Sequence, residues 1–229
     1  MEKNILMEKM CLFLNRVHVD KDKEYAIMNF SSLGPELAKE VRNNPEEFFG
    51  FLMSETLRKI SGLKKNIYII FKNVPNSYKT KIEDISSQHL GKFIQVEGKI
   101  EKKTAVITKI SKCKYECPSC GNILAVLMSE ENNKLLRPTR CGCGRVGHFR
   151  EVSRTYEDSF DLIVSEEEYL LRIMMGEPFL NSEFKTILKK DKSIIISGYV
   201  VSMAKRLPHG SESTEIEKVL IANSIQKVK

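Results

Sequence analysis

The sequence predicts an α+β chain, mainly β: a helical bundle subdomain, then a five-stranded barrel interrupted by a cysteine-rich hairpin. Three observations carry that reading. Apolar residues recur at helical spacing in the first part, the period changes to two from Phe93 onward, and five of the six cysteines fall between Cys113 and Cys143. The boundaries that follow are 1–88 for the helical subdomain, 89–112 and 152–229 for the barrel, and 113–151 for the hairpin.

Asn44-Pro45-Glu46-Glu47 supplies an N-cap residue, proline at the first helical position and glutamate where a capping box closes. Phe49, Leu52, Met53, Thr56, Leu57 and Ile60 then recur at helical spacing, and Gly62 supplies the stop. A shorter helix begins at Pro35-Glu36-Leu37, and Glu2 to Asn15 forms a third. Asn66 to Phe71 is rich in β-branched and aromatic residues and reads as a buried strand, ended by Asn73-Val74-Pro75. A linker then runs to about His89.

From Phe93 to Glu101 the residues alternate, with Ile94, Val96, Gly98 and Ile100 on one side and Gln95, Glu97, Lys99 and Glu101 on the other. Thr104 to Tyr115 is a second long strand and Ile194 to Met203 another. Val96-Glu97-Gly98-Lys99-Ile100 is mirrored by Ile196-Ser197-Gly198-Tyr199-Val200. Glycine within a branched strand lets the backbone bend sharply, as closing a small barrel requires. Five such antiparallel strands closed on themselves make an OB-fold.

Cys117-Pro118-Ser119-Cys120-Gly121 has the composition of a metal knuckle, and Cys141-Gly142-Cys143-Gly144 supplies a second pair across a hairpin from Ile123 to Arg137. Intracellular thiols are mostly reduced, so such a cluster points to metal ligation rather than disulfides. Four thiolates around one Zn2+ close its coordination shell, which makes the ion structural. The C-x-C spacing is tighter than a usual knuckle, so His148 or Cys113 stands as an alternative to Cys143. A redox C-x-x-C would open a helix in a βαβ context, whereas Pro118-Ser119 lies between strands.

The charge is unevenly spread. The segment from Gly91 to Arg154 holds 13 basic and 6 acidic residues, an excess equal to the +7 of the whole chain. Thr155 to Glu168 carries six acids and no base. A basic block that coincides with a barrel and a metal hairpin points to nucleic acid. No apolar run approaches the ~20 residues of a membrane span, and the first residues lack a secretion signal, so a cytoplasmic, nucleoid-associated protein is expected. His18, His89, His148 and His209 are scattered, with no paired acid near them, which disfavours a hydrolytic site.

Bundle, strand, barrel strands, metal hairpin and barrel strands in that order resemble the N-terminal part of the MCM (minichromosome maintenance) replicative DNA helicases, archaeal type. The resemblance is carried by Ile85-Ser86-Ser87-Gln88-His89-Leu90-Gly91-Lys92-Phe93-Ile94-Gln95-Val96-Glu97-Gly98-Lys99-Ile100, similar to the opening of that family's OB-fold. Lys112 to Cys117, Leu136 to Cys141, Ile196-Ser197-Gly198, Leu33 to Leu37 and Asn44-Pro45 add to it, so it covers nearly the entire chain.

The resemblance implies a DNA-binding, ring-assembling domain: a hexamer encircling single- or double-stranded DNA, able to meet a second ring through its zinc hairpins. It implies a basic hairpin from Val200 to Val219 with Lys205, Arg206 and Lys218, and strand contacts from Lys102, Lys103, Lys109 and Arg172 on the OB face. Cys117, Cys120, Cys141 and Cys143 would hold structural Zn2+.

Departures from the family also matter. No G-x-x-x-x-G-K-[ST] loop occurs, so this chain carries no P-loop ATPase motor and is expected to be non-catalytic. Lys190-Asp191-Lys192-Ser193 stands where the family turns on glycine, and the segment from Ser165 to Tyr169 is short and acidic. The chain ends near the close of the family's OB region, as an excised domain or a natural short protein would. The alternative reading is a zinc-ribbon nucleic-acid-binding protein of transcription or translation.

Overall fold

The computed structural model describes residues 2–14, 25–59, 67–127, 135–206 and 212–228. The expected helix stop at Ile60 and Gly62, His18, His209 and the tip of the 200–219 hairpin lie outside them. The chain forms two compact units. One comprises Met1–Thr104, Phe160–Ser202 and Lys218–Lys229, and the other Ala105–Ser159 and Met203–Glu217.

The first unit opens with α1 (Glu2–Leu14), β1 (Tyr25–Asn29), α2 (Gly34–Asn43), α3 (Pro45–Lys59) and β2 (Tyr68–Lys72). Pro35 sits in the first turn of α2, Glu36 faces its positive end and Arg42 its negative end. The 3.6-residue period puts Leu37 and Val41 on one buried face. These pack into a core with Phe30, Phe48, Phe71, Tyr78 and Phe93. Phe30 meets Phe71 and Tyr78 edge-on, at centroid distances of 5.4 and 5.0 Å.

Local sequence signals mark no strand at 25–29, yet β1 pairs in parallel with β2, Tyr25 opposite Tyr68 through Asn29 opposite Lys72. Asn223 lies more than 150 residues from β2. Its amide nitrogen donates to the Ile69 carbonyl at 2.7 Å, and its oxygen accepts the Phe71 N–H at 3.1 Å. One side chain thereby satisfies two backbone groups of β2.

The strands that follow are β3 (Phe93–Lys103), β4 (Ile107–Glu116), β5 (Ile123–Leu127), β6 (Arg150–Glu166), β7 (Tyr169–Gly176), β8 (Ser193–Arg206) and β9 (Glu212–Lys227), with a one-turn helix α4 (Ser182–Lys185) before β8. They form one sheet in the order β3-β8-β9-β7-β6-β4-β5, with a further contact between β3 and β6.

This corrects the expected closed five-stranded barrel. The sheet has seven strands and runs on through β4 to an edge at β5. The cause is the length of β6, 17 residues. Its second half alternates buried Phe160, Leu162 and Val164 with more exposed neighbours, as a core strand does. Its first half pairs instead with β4, from Ile107–Ser159 to Glu116–Arg150, within the second unit. The three strands β6, β7 and β9 lay in segments whose boundaries the alternation pattern did not mark.

β3 divides its length between partners. Phe93 to Lys99 pair with β8, and Lys99 to Lys103 pair with β6, with a bulge between Ile100 and Lys102. The mirrored glycines lie on this ladder, Gly98 opposite Ile194 and Gly198 opposite Ile94. A Cβ on Gly98 would lie 2.5 Å from both the Ser165 carbonyl oxygen and a Val164 methyl. One on Gly198 would fall on the Ile221 carbonyl. Glycine is required at both positions because another strand's backbone passes too close for a side chain.

The second unit is built differently. Among its described residues only Cys113, Tyr115, Cys117 and Cys141 are buried. Tyr115 donates its hydroxyl to the Leu136 carbonyl at 3.2 Å. So small an apolar interior does not offset the entropy of ordering the chain, so this unit needs a cross-link of another kind.

Gly198→Ala is expected to destabilise the first unit by about 1–3 kcal/mol or more, since the obstruction is backbone that must move. Urea unfolding measures this, and an unchanged midpoint would refute the close approach. Asn223→Ala leaves an N–H and a C=O without their partner and is expected to cost about 1–3 kcal/mol in the same assay.

Candidate metal centre and basic surface

The first cysteine pair lies on the turn that joins β4 to β5. The Cys117 N–H donates to the Asn122 carbonyl at 2.9 Å, and Gly121 N–H to the Cys117 carbonyl at 2.8 Å. Gly121 has φ 73°, in the left-handed region that closes such a turn. The second pair lies on a matching turn. Cys141 N–H donates to the Arg145 carbonyl at 2.9 Å, Gly144 N–H to the Cys141 carbonyl at 3.0 Å, and Gly144 has φ 91°. Two tight loops therefore each present two sulfurs.

Those sulfurs converge. The ligand atoms of Cys117, Cys120, Cys141 and Cys143 all lie within 4.8 Å of one another. Across the pairs, Cys117 to Cys143 and Cys120 to Cys141 are each 3.7 Å. A tetrahedral ion with bonds of about 2.3 Å has ligand edges of about 3.8 Å, so these separations suit one ion bound by four thiolates. Neither Cys113 nor His148 belongs to the group. Cys113 is buried in β4 opposite Val126 and Arg154, and His148 is exposed.

The electrostatics also call for a cation. At Cys117 burial opposes ionisation, but the backbone N–H groups of Ser119 and Cys120 and the Cys120 and Cys143 thiols outweigh it, lowering its pKa to about 7. At Cys120 the Asn122 N–H favours the thiolate, yet burial and the three neighbouring sulfurs push it up to about 12. A first negative charge forms readily and further ones repel each other. A dication at the centre resolves that repulsion. The cluster can therefore hold a metal ion and, being closed, leaves no ligand position for a substrate.

The basic residues divide between the units. Lys102 and Lys103 end β3 in the first unit, both exposed, with Lys103 Nζ held 4.2 Å above the Phe160 ring. Arg172 on β7 is ion-paired with Asp161 at 2.8 Å, and Lys218 on β9 donates to the Ile85 carbonyl. Lys109 on β4 and Lys205 on β8 belong to the second unit. Lys109 is half-buried opposite Glu157, and Lys205 reaches Glu215 at 3.2 Å with both side chains largely exposed. Arg206 lies in β8, but its side chain falls outside the described residues.

The structure thus groups Lys102 with Lys103. It holds Arg172 and Lys218 inward, and keeps Lys109 and Lys205 in a separate unit. Within the acidic segment from Ser165 to Tyr169, Glu167 and Glu168 make the turn between β6 and β7, with Glu167 at φ 55° and Glu166 accepting the Ile82 N–H at 2.6 Å. No described helix is long and apolar enough to cross a membrane.

Residues 81–167 match the family model of the MCM OB domain. That span contains β3 to β6 and all four clustered cysteines. An uncharacterized MCM-type protein of Methanocaldococcus jannaschii is 26% identical over 90% of this chain, and the chain spans 32% of that relative's length. The crystal structure of the N-terminal domain of an archaeal MCM superposes with a TM-score of 0.79 at 18% identity, covering 99% of each chain.

Cys143→Ser is expected to lose bound metal, while His148→Ala keeps it in full. Metal content of the two purified variants measures this, and full retention by Cys143→Ser would refute the ligand set.

Proposed function

We propose that this chain acts as the non-catalytic, DNA-binding and ring-assembly part of an MCM-type replicative helicase, a reading supported by its match to the MCM OB domain over residues 81–167 and by its fold likeness to an archaeal MCM N-terminal domain. The observation that carries this is the coincidence, within residues 81–167, of the MCM OB match and both cysteine pairs. The relative of which this chain spans about a third supports reading it as one part of a larger machine.

In this reading the metal is Zn2+. Zinc has no redox chemistry and accepts tetrahedral thiolates without geometric penalty. Its work is structural: Cys117, Cys120, Cys141 and Cys143 join two loops in a unit that buries almost nothing else.

The DNA contacts are cationic and indifferent to sequence. Lys102 and Lys103 at the end of β3, Lys109 on β4, and Lys205 and Arg206 on the β8–β9 hairpin neutralise phosphates and release counterions. Arg172 and Lys218 contribute less, since Asp161 and the Ile85 carbonyl already engage them. Assembly into a ring, a hexamer or a pair of hexamers, multiplies weak contacts through effective concentration. Either single- or double-stranded DNA fits such contacts, in the cytoplasm at the nucleoid.

The chain is expected to bind DNA with an affinity that falls steeply with salt, and to show a mass in solution several times that of one chain with one Zn2+ per chain. Lys205→Ala with Arg206→Ala, and separately Lys102→Ala with Lys103→Ala, should each weaken binding at low salt and leave metal content unchanged. A monomeric chain that ignores DNA in dilute buffer would refute the proposal. Preference for RNA would favour a role in transcription or translation.

A further inference from the structure

The four clustered sulfurs are alike in chemistry but not in accessibility. Cys117 and Cys141 are buried, at 0% and 3% exposure, whereas Cys120 and Cys143 are exposed. Each loop therefore offers one shielded and one open sulfur. All four ligand atoms lie within 4.8 Å of one another, so the two open sulfurs, one from each loop, are close neighbours. A disulfide needs its sulfurs at about 2.0 Å, so this pair closes by less than about 3 Å.

The backbone lets the open pair make that movement. Cys117 is held on both sides by its turn, its N–H on the Asn122 carbonyl and its carbonyl under the Gly121 N–H. Cys141 is held in the same way by the Arg145 carbonyl and the Gly144 N–H. These hydrogen bonds do not involve Cys120 or Cys143. Gly121 follows Cys120, and Gly142 and Gly144 flank Cys143. A Cβ on any of the three glycines would meet nothing within 4 Å, so there is open space around both cysteines.

Positive charge lies beside them. Arg145, two residues beyond Cys143, reaches across to the other loop, where its Nη1 donates to Ser119 Oγ at 3.1 Å. Ser119 precedes Cys120, so one guanidinium adjoins both open positions. Exposed cysteines in electropositive surroundings are the ones that oxidise.

We propose that Cys120 and Cys143 form a peroxide-sensitive thiol pair, which hydrogen peroxide converts to a disulfide between the two loops with release of the bound metal, Arg145 promoting the step. This rests on the structural-metal reading above and assigns a second chemistry to the same sulfurs. One open thiolate attacks a peroxide oxygen and the O–O bond breaks. That sulfur becomes a sulfenic acid, and the departing hydroxide takes a proton to leave as water. The other open thiolate attacks the sulfenic sulfur, forms the S–S bond and expels hydroxide, which is protonated to a second water. The two sulfurs give up one electron each and the two peroxide oxygens take them. The Arg145 guanidinium offsets the negative charge of the departing hydroxide. Cys117 and Cys141 are left as two ligands, too few for a closed tetrahedral site. The disulfide still joins the loops, so a reductant and fresh Zn2+ restore the original arrangement.

The test uses the whole zinc-loaded chain and hydrogen peroxide. A chromogenic chelator follows the zinc that leaves, while alkylation and mass spectrometry map the thiols at the same times. Zinc is expected to leave in step with the appearance of one linked peptide pair carrying Cys120 and Cys143, and a phosphine reductant with added Zn2+ should reverse both. Arg145→Gln is expected to hold its full zinc before treatment and to release it severalfold more slowly. Arg145→Lys, which keeps the charge, should restore the rate.

Retention of zinc at a peroxide level that oxidises the half-buried Cys11 overturns the proposal. So does release through another cysteine pair, or through sulfinic and sulfonic acids. An Arg145→Gln rate equal to that of the unsubstituted chain overturns the role given to Arg145. A purified chain that holds no zinc overturns the metal reading, and the thiol pair with it.

Discussion

At Gly98 and Gly198 two strands run so near a neighbouring backbone that a single added carbon would collide with it. That closeness shapes the first unit. It lets β3 share its length between β8 and β6, and it sets the end of β3 beside the turn before β8. The buried cluster of Ile94, Val96, Ile100, Phe160, Leu162, Val164 and Ile196 fills the space these strands enclose. Packing at interior density transmits such a constraint, because there are no voids to absorb a shift.

The two units are held by different physics. In the first, aromatic and branched side chains exclude water over two large clusters. In the second, few described residues are buried, and four cysteine sulfurs from two loops converge on one point in an arrangement that could hold a metal ion.

Charge in this chain is arranged by pairing as much as by placement. Asp161, Glu183 and Asp191 are each engaged by a partner, Arg172, Tyr25 and Lys99 in turn. Lys102 and Lys103 are exposed where β3 ends. At 18% identity an archaeal MCM N-terminal domain keeps the fold at a TM-score of 0.79, which fits a fold governed by backbone approach and interior volume more than by particular side chains.

Much of this was legible from residue order alone. Local signals marked the helices beginning near Pro35 and Pro45, the strand at 68–72, the strands on either side of the cysteines, and the four sulfurs themselves, because each depends on neighbours within a few positions. The mirrored glycines announced a sharp bend, but not whose carbonyl they would meet. Tertiary structure alone decided the rest. It decided that β1 pairs with β2 across some forty residues, and that Asn223 completes β2. It also decided that β6 runs long enough to open a five-stranded expectation into a seven-stranded sheet. Which of the predicted basic residues stay exposed and which are held by Asp161 or a backbone carbonyl was decided there too. The physical reason is the same in each case: these outcomes depend on which distant segments meet, and periodicity and composition report only on a residue's immediate surroundings.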